Sequence, residues 1–476
     1  MPLQRSYSDG FFDIGSVHGF LPKALSIERL TGVYAPVQDI LDRMPVVLPD
    51  GSPGLLHHPD AIAAAVEALP DLSASVEAEE DIFRVQALFR GYGFLLSAYT
   101  LEPAYQHFRS TGAYGKARTV VPVQVARPFV MVSRKLDVHP WLDYHYAYSL
   151  GNFRKKDPAG GLTWENLDMC VRFSGQPDEV GFIMLHVDIN QFSPALVGSV
   201  MDTLEAVDRE DTDGILSAIA RNHATMRAMN ERRRQMWKAS RWTHYNDFRV
   251  FIMGVKGNEE IFGDGIIYSG VWDEPHQYRG QTGAQDDIIP MEDIFSGVTA
   301  YYPKNDLTRY LYDLRTYRPK CVQRFFIDLG ETVERWGEHG VAGRLLAMRQ
   351  SEALCHLLGV LEEIYHFRNG HWQFVQKYIM SNTPYAKATG GTPITSWLPN
   401  QLKAVMRQME WVIGCVESIG ESRDEAALAI LRSNRTSLPQ KRELLDEQLK
   451  MVEQERYSAD AVFGLNEKFN LRDDSE

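Results

Sequence analysis

Cysteine is scarce in this chain, and what there is lies scattered. Cys170, Cys321, Cys355 and Cys415 are the four among 476 residues. No two have the spacing of a zinc, iron–sulfur or thiol-redox motif. This argues against a disulfide framework and suits a reducing compartment. Positive charge is also in deficit: 63 acidic against 50 basic side chains leave a formal charge of -13. General nucleic-acid binding needs a basic footprint, and so does docking to anionic lipid. Neither nucleic acid nor membrane is therefore expected as a partner. No stretch approaches the ~20 apolar residues of a membrane-spanning helix. The opening segment, MPLQRSYSDGFFDIGSVHGFLP, lacks a basic region followed by an apolar run, so no secretory signal is read there. Nucleophile-elbow and zinc-protease motifs are missing. The expectation is a soluble cytoplasmic protein and, from its size and 11% aromatic content, an enzyme with a large core.

What is present is mostly helix. Residues 1–55 are rich in Gly and Pro and read as loop. Helical patterns follow at 59–69 and 77–99. Residues 118–135, ARTVVPVQVARPFVMVSR, are β-branched and short in helix formers, so extended structure is predicted there. Residues 141–150 have a helical pattern, and Thr163 has the character of an N-cap. Helices are predicted over 177–237, including the charged run 211–238, with a further apolar segment at 246–253. A Gly-rich loop covers 258–290. Helical signals return at 294–302 and dominate 307–379. A polar loop at 381–400 precedes charged amphipathic helix over 401–476, where Leu445, Leu449 and Val452 form an apolar stripe. The tail NLRDDSE has the composition of disorder.

Residues 365–378, YHFRNGHWQFVQKY, are the most informative stretch. On a helix His371, Phe374, Val375 and Tyr378 fall at i, i+3, i+4 and i+7, on one face. A lone imidazole is thus aimed at an apolar environment. That suits a proximal haem ligand, and equally a hydrogen-bonded core histidine. Gly370 costs the helix roughly 1 kcal/mol relative to Ala and permits close approach of something bulky. Arg249 stands among Phe248, Val250, Phe251, Ile252 and Met253, placed either to grip a carboxylate with its planar fork or to make a structural ion pair. Gly390-Gly391-Thr392 offers backbone N–H groups and a hydroxyl on a closing loop, or is a plain linker. No Lys-Ser/Thr follows it, so it is not a phosphate loop. Phe182 and His186 share a helical face as pocket wall or as core. Neither Asp286-Asp287 nor Glu79-Glu80 makes a convincing metal site, and His57-His58 fits solvent exposure.

In order along the chain stand GFLP (19–22), NFRKKDPAGGLTWENLD (152–168), GF (181–182), RVFIMGVKGN (249–258), DGIIYSGVW (264–272), RGQTGAQ (279–285), RNGHWQFVQKYI (368–379) and TGGT (389–392). This series resembles the indoleamine 2,3-dioxygenase family over roughly residues 15–400. The resemblance implies a mainly α fold, with a small N-terminal domain over a large all-helical domain that binds haem b. We place these at 1–125 and 126–410, with a charged helical C-terminal extension at 411–476 that has no recognised counterpart. It implies His371 as the proximal iron ligand, Arg249 on the substrate carboxylate, Gly390, Gly391 and Thr392 on the closing loop, and Phe182 against the indole. It further implies Arg368 near a haem propionate, with Thr282 and Gly283 at the cofactor. His186 stands where mammalian members carry serine and is expected at the distal side. His244 stands where an aromatic ring usually contacts substrate. His145 and Tyr148 replace other pocket residues, and Asp286 and Asp287 add negative charge to a loop that usually ends in serines.

The activity implied is insertion of both atoms of O₂ across the indole C2–C3 bond of L-tryptophan or a related indoleamine, giving N-formylkynurenine. An electron donor would keep the haem ferrous. Two rivals stay open. One is a haem enzyme of the same superfamily that rearranges or oxidises a modified tryptophan in natural-product biosynthesis. The other is a non-catalytic haem or ligand-binding protein.

Overall fold

Helix forms wherever apolar residues recur at three- and four-residue spacing. The computed structural model describes residues 3–304, 306–380, 389 and 394–463. Helix α1 (Ile82–Thr111) starts at Asp81, whose carboxylate accepts from Phe83 N at 3.0 Å, and stops at Gly112, where φ is 78°. Helix α2 (Pro177–Asn190) opens with proline and then Asp178 and Glu179, residues that suit the positive end of a helix. It leads into α3 (Ser193–Asp208) and α4 (Thr212–Arg233), the latter capped by Asp211 on Gly214 N. Helices α5 (Ile288–Ser296), α6 (Ser351–Val375), α7 (Ile394–Ile419) and α8 (Glu425–Phe463) complete the frame around the site. Helix α6 is its axis, packed against α4, α7 and α8, while α3 pairs with α4.

Strand is confined to short pairs among the described residues. Ser6–Ser8 pairs antiparallel with Asp13–Gly15, Phe153–Lys155 antiparallel with Leu167–Met169, and Val120–Val121 parallel with Ile267–Tyr268. One buried cluster runs from Tyr7 to Leu445. The N-terminal segment is stitched into it: Tyr7 Oη donates to Asp328 at 2.7 Å, and the rings of Phe20 and Phe325 meet at 5.9 Å.

The mainly helical class expected from the sequence is what forms, with several local corrections. Residues 123–136 are helix, not extended structure. Val125, Phe129, Val132 and Leu136 all bury on one side, and that burial outweighs the β-propensity of the valines. Pro122 is the N-cap residue, where its missing N–H costs nothing. Thr163 heads a tight turn instead of a helix: Asn166 N bonds its carbonyl at 2.9 Å and a strand follows. The helical run predicted up to residue 379 is interrupted. Arg349 takes φ 55° between Gly340–Ala347 and α6, and a π-turn, Gln376–Met380, ends the run. The span Pro177–Asp208 is, by length and composition, apolar enough to cross a membrane, contrary to the sequence expectation. Its most apolar window is 67% buried inside the protein, as befits a core helix pair.

Candidate functional site

The face predicted on α6 lines a cavity. His371, Phe374, Val375 and Tyr378 all border one cavity. A second, smaller space adjoins it and shares His371, Phe367, Gly283, Ala284 and Asp286. His371 therefore stands where the two chambers meet. Its ring makes no hydrogen bond among the described residues. Burial, then the charge of Arg233, hold its pKa down to about 4, so it is a neutral imidazole with lone-pair capacity.

Opposite α6 stands α2. Phe182 and His186 border the first chamber, one turn apart, with ring centroids 5.6 Å from each other. Phe182 packs on Tyr245 at 5.1 Å and on Tyr378 at 6.2 Å, closing an aromatic box. His186 Nδ1 lies 3.0 Å from the Phe182 carbonyl. A carbonyl only accepts, so Nδ1 carries the proton and Nε2 is left as an acceptor. Nε2 looks towards Gly283, where an added Cβ would stand 3.5 Å away. Burial lowers the His186 pKa, which keeps the ring neutral.

The segment 279–287 supplies the rest of this wall. Thr282 caps the 3₁₀ turn Gly283–Gln285 in a reciprocal box with Gln285, and both Thr282 and Gly283 line the first chamber. Asp286 lines both chambers, accepting from Asn190 Nδ2 at 2.7 Å, Tyr144 Oη at 2.8 Å and Ile288 N at 3.0 Å. Behind it the buried Asp287 meets His145 Nε2 at 2.8 Å and Arg318 Nε at 2.5 Å. The two acids thus tie the loop to α2, to the π-turn Tyr144–Tyr148 and to Arg318.

The second chamber carries three cations beside two acids, Asp286 and Asp293. Arg315, Arg318 and Arg368 border it. Arg368 donates to Asp293, which also accepts from Tyr302, and to Gln401 Oε1 at 3.0 Å. Nη1 of Arg368 and Nη1 of Arg318 are buried without a hydrogen-bond partner among the described residues, and Arg318 Nε has only its ion pair with Asp287. Buried orphan donors are rare and costly, and two on guanidinium groups suit carboxylates of a ligand.

Other predicted residues fall elsewhere. His244 does not border the cavity. It ends a 3₁₀ turn, its side chain is 38% exposed, and Nδ1 meets Asp247 at 2.9 Å. The next residue, Tyr245, faces inward in its place, because the turn rotates the chain before Asn246–Arg249 begins. Arg249 is fully buried one layer behind the wall, with Nη1 donating to Tyr114 Oη at 3.0 Å and a further hydrogen bond to Tyr245. Tyr148 is buried and donates to Glu179 at 3.2 Å. Gly390, Gly391 and Thr392 lie outside the described residues. Thr389 just before them borders the first chamber and donates to the Gln281 carbonyl at 2.6 Å. Arg233, Tyr245, Thr389 and Trp397 are lining residues that sequence reasoning missed. Gly370 was the signal for Arg233: a Cβ on it would collide with the Arg233 guanidinium.

The sequence profile of the indoleamine 2,3-dioxygenase family matches residues 9–410. Among curated proteins the chain is similar to indoleamine 2,3-dioxygenase 2 of Mus musculus, 25% identical over 430 residues, which cover 90% of this chain and 97% of the relative. It is 25% identical to indoleamine 2,3-dioxygenase 1 of Rattus norvegicus over 308 residues, 64% of this chain and 69% of the relative. A fungal relative, indoleamine 2,3-dioxygenase acdA of Aspergillus candidus, is 28% identical over 194 residues, 37% of this chain and 46% of its own length.

Proposed function

The chain belongs to the indoleamine 2,3-dioxygenase family, and from that premise we propose that it is a haem b enzyme opening the indole ring of L-tryptophan, or a close relative of it, with O₂ to N-formylkynurenine. The observation that carries this reading is the placing of His371: a neutral, half-buried imidazole at the junction of an apolar chamber and a chamber that three arginines border. A haem fits that donor set. His371 would hold the iron. The orphan nitrogens of Arg368 and Arg318 would meet the propionates. A bound haem b, kept ferrous by an external electron donor, supplies the redox-active iron through which O₂ reacts with an electron-rich ring.

The chain's own groups position and shield. Phe182, Tyr245 and Tyr378 offer ring faces and edges to an indole. His186 Nε2 offers an acceptor for the indole N–H. Arg249 supplies the positive charge for the substrate carboxylate, reached by exchanging its tyrosine hydroxyls for carboxylate oxygens. Thr389 anchors the segment that continues into Gly390-Gly391-Thr392, which we assign to closure over the amino-acid end.

One feature favours a second reading, in which the substrate is a modified tryptophan that is rearranged or oxidised. Asp286 places a carboxylate on the cavity wall. One experiment separates the two: the reduced, haem-loaded protein is mixed with L-tryptophan and O₂ and followed at the absorbance of N-formylkynurenine. Stoichiometric product supports the first reading. O₂ consumption with a modified tryptophan but no product from tryptophan supports the second.

A further inference from the structure

The space left by the missing side chain of Gly370, one residue before His371, is filled by the Arg233 guanidinium from the last turn of α4. Arg233 is 8% exposed. Its head lies over the rings of Phe367 and Phe374, 5.8 and 5.7 Å from their centroids. Nε donates to Asn230 Oδ1 at 3.0 Å and Nη2 to the His366 carbonyl at 3.2 Å. Asn230 is held in turn by Glu363, donating to its carboxylate at 2.8 Å and its carbonyl at 2.9 Å. The partners of the guanidinium are thus neutral oxygens and ring faces. No carboxylate lies within ion-pair distance of it among the described residues. Burial brings its pKa down to about 10, which leaves it a cation at neutral pH.

A buried charge with no counter-ion is expensive to keep. Here the cost falls beside the group that would hold iron. We propose that Arg233 is a fixed positive charge next to the His371 imidazole that biases the haem iron toward its ferrous state. The inference rests on the haem reading above. Reduction lowers the charge of the centre by one, so a neighbouring cation stabilises the reduced form over the oxidised one. The low dielectric of the surroundings strengthens the effect.

The test is a spectroelectrochemical titration of the haem-loaded protein with three variants. Arg233→Met and Arg233→Gln remove the charge, one keeping the stem and the other the hydrogen-bonding end. Arg233→Lys keeps the charge. We expect both neutral variants to shift the ferrous-to-ferric ratio at fixed potential by about tenfold towards ferric, which is about 59 mV for a one-electron couple. Arg233→Lys should stay near the wild type, and the iron–histidine stretching band of the ferrous protein should move only in the neutral variants. Equal potentials in all four proteins would overturn the inference. So would an equal shift in Lys and Met, which assigns the effect to packing. If one neutral variant fails to retain haem, the other carries the comparison. If the wild type itself takes up no haem, the haem reading has failed and this inference with it.

Discussion

The wall that carries His371 is one continuous run, α6 and the π-turn that ends it, whereas the wall that carries His186 is assembled from α2, the 279–287 segment and the π-turn Tyr144–Tyr148. On the His371 side, groups within a few turns of one another, Phe367 to Ile379, line the cavity, and neighbouring helices brace it from behind. Trp372 Nε1 donates to Gln448 of α8 at 3.0 Å, and Lys441 of α8 meets Glu362 at 2.9 Å. That bracing helix lies beyond residue 410, outside the family match. On the His186 side the polar groups are held by one another: Asp286 by Asn190 and Tyr144, Asp287 by His145 and Arg318. A helix face tolerates the loss of one neighbour. A buried charge network does not, because each member's desolvation is offset only by its partners.

The largest effect should come from the helix wall, since it offers one metal ligand. His371→Ala should abolish stable haem incorporation, read as loss of the Soret band on reconstitution. A normal band with full activity would remove His371 from the site. On the loop wall, Asp287→Ala leaves Arg318 buried and uncompensated and should cost about 3–5 kcal/mol of stability, measured by denaturant unfolding. A loss under about 1 kcal/mol would show this wall to be as tolerant as the helix.

Helix α5 joins the two walls and carries adjacent acids. Asp293 faces Arg368, while Glu292 faces Asn222, whose Nδ2 donates to it at 3.0 Å. Burial pushes Glu292 up to about 8, so the folded protein keeps a proton that the unfolded chain releases near the ordinary carboxylate range. The stabilising contribution is therefore complete below about pH 4.5 and is lost as pH rises through 8, at roughly 1.4 kcal/mol per pH unit within that window. Glu292→Gln keeps an acceptor for Asn222 and should flatten the fall in melting temperature between pH 5 and 8. Parallel curves for variant and wild type would contradict this.

Arg249→Lys should lower kcat/KM for tryptophan by about ten- to a hundredfold with haem content intact, since a bidentate charge-assisted contact is worth roughly 1.5–3 kcal/mol. Equal activity on free indole and on the amino acid would argue against the carboxylate grip. The smallest expected change is at His186→Ser. Haem binding should persist, while the acid limb of the pH–rate profile disappears, because the variant has no imidazole to protonate as pH falls. Superimposable profiles would make His186 a packing residue.

Sequence alone determined the frame of the His371 wall. The spacing of His371, Phe374, Val375 and Tyr378 is a local property of a helix, and all four reach the cavity. Phe182 and His186, four apart, were legible for the same reason. Helical period says nothing of what faces that helix, and there the readings slipped. His244 and Tyr245 are adjacent, and only the turn before Asn246–Arg249 decides which points inward. The valines of 118–135 favoured strand until burial on one side made most of them helix. Arg249 was legible as a cation among apolar residues, but its tyrosine partners, Tyr114 and the cavity-lining Tyr245, were not. Arg233 left only a trace, the glycine that makes room for it. Its place beside His371 depends on α4 crossing α6, a contact between residues more than a hundred positions apart. Only the tertiary structure sets such a contact, because packing energy depends on which surfaces meet and a one-dimensional pattern does not record that.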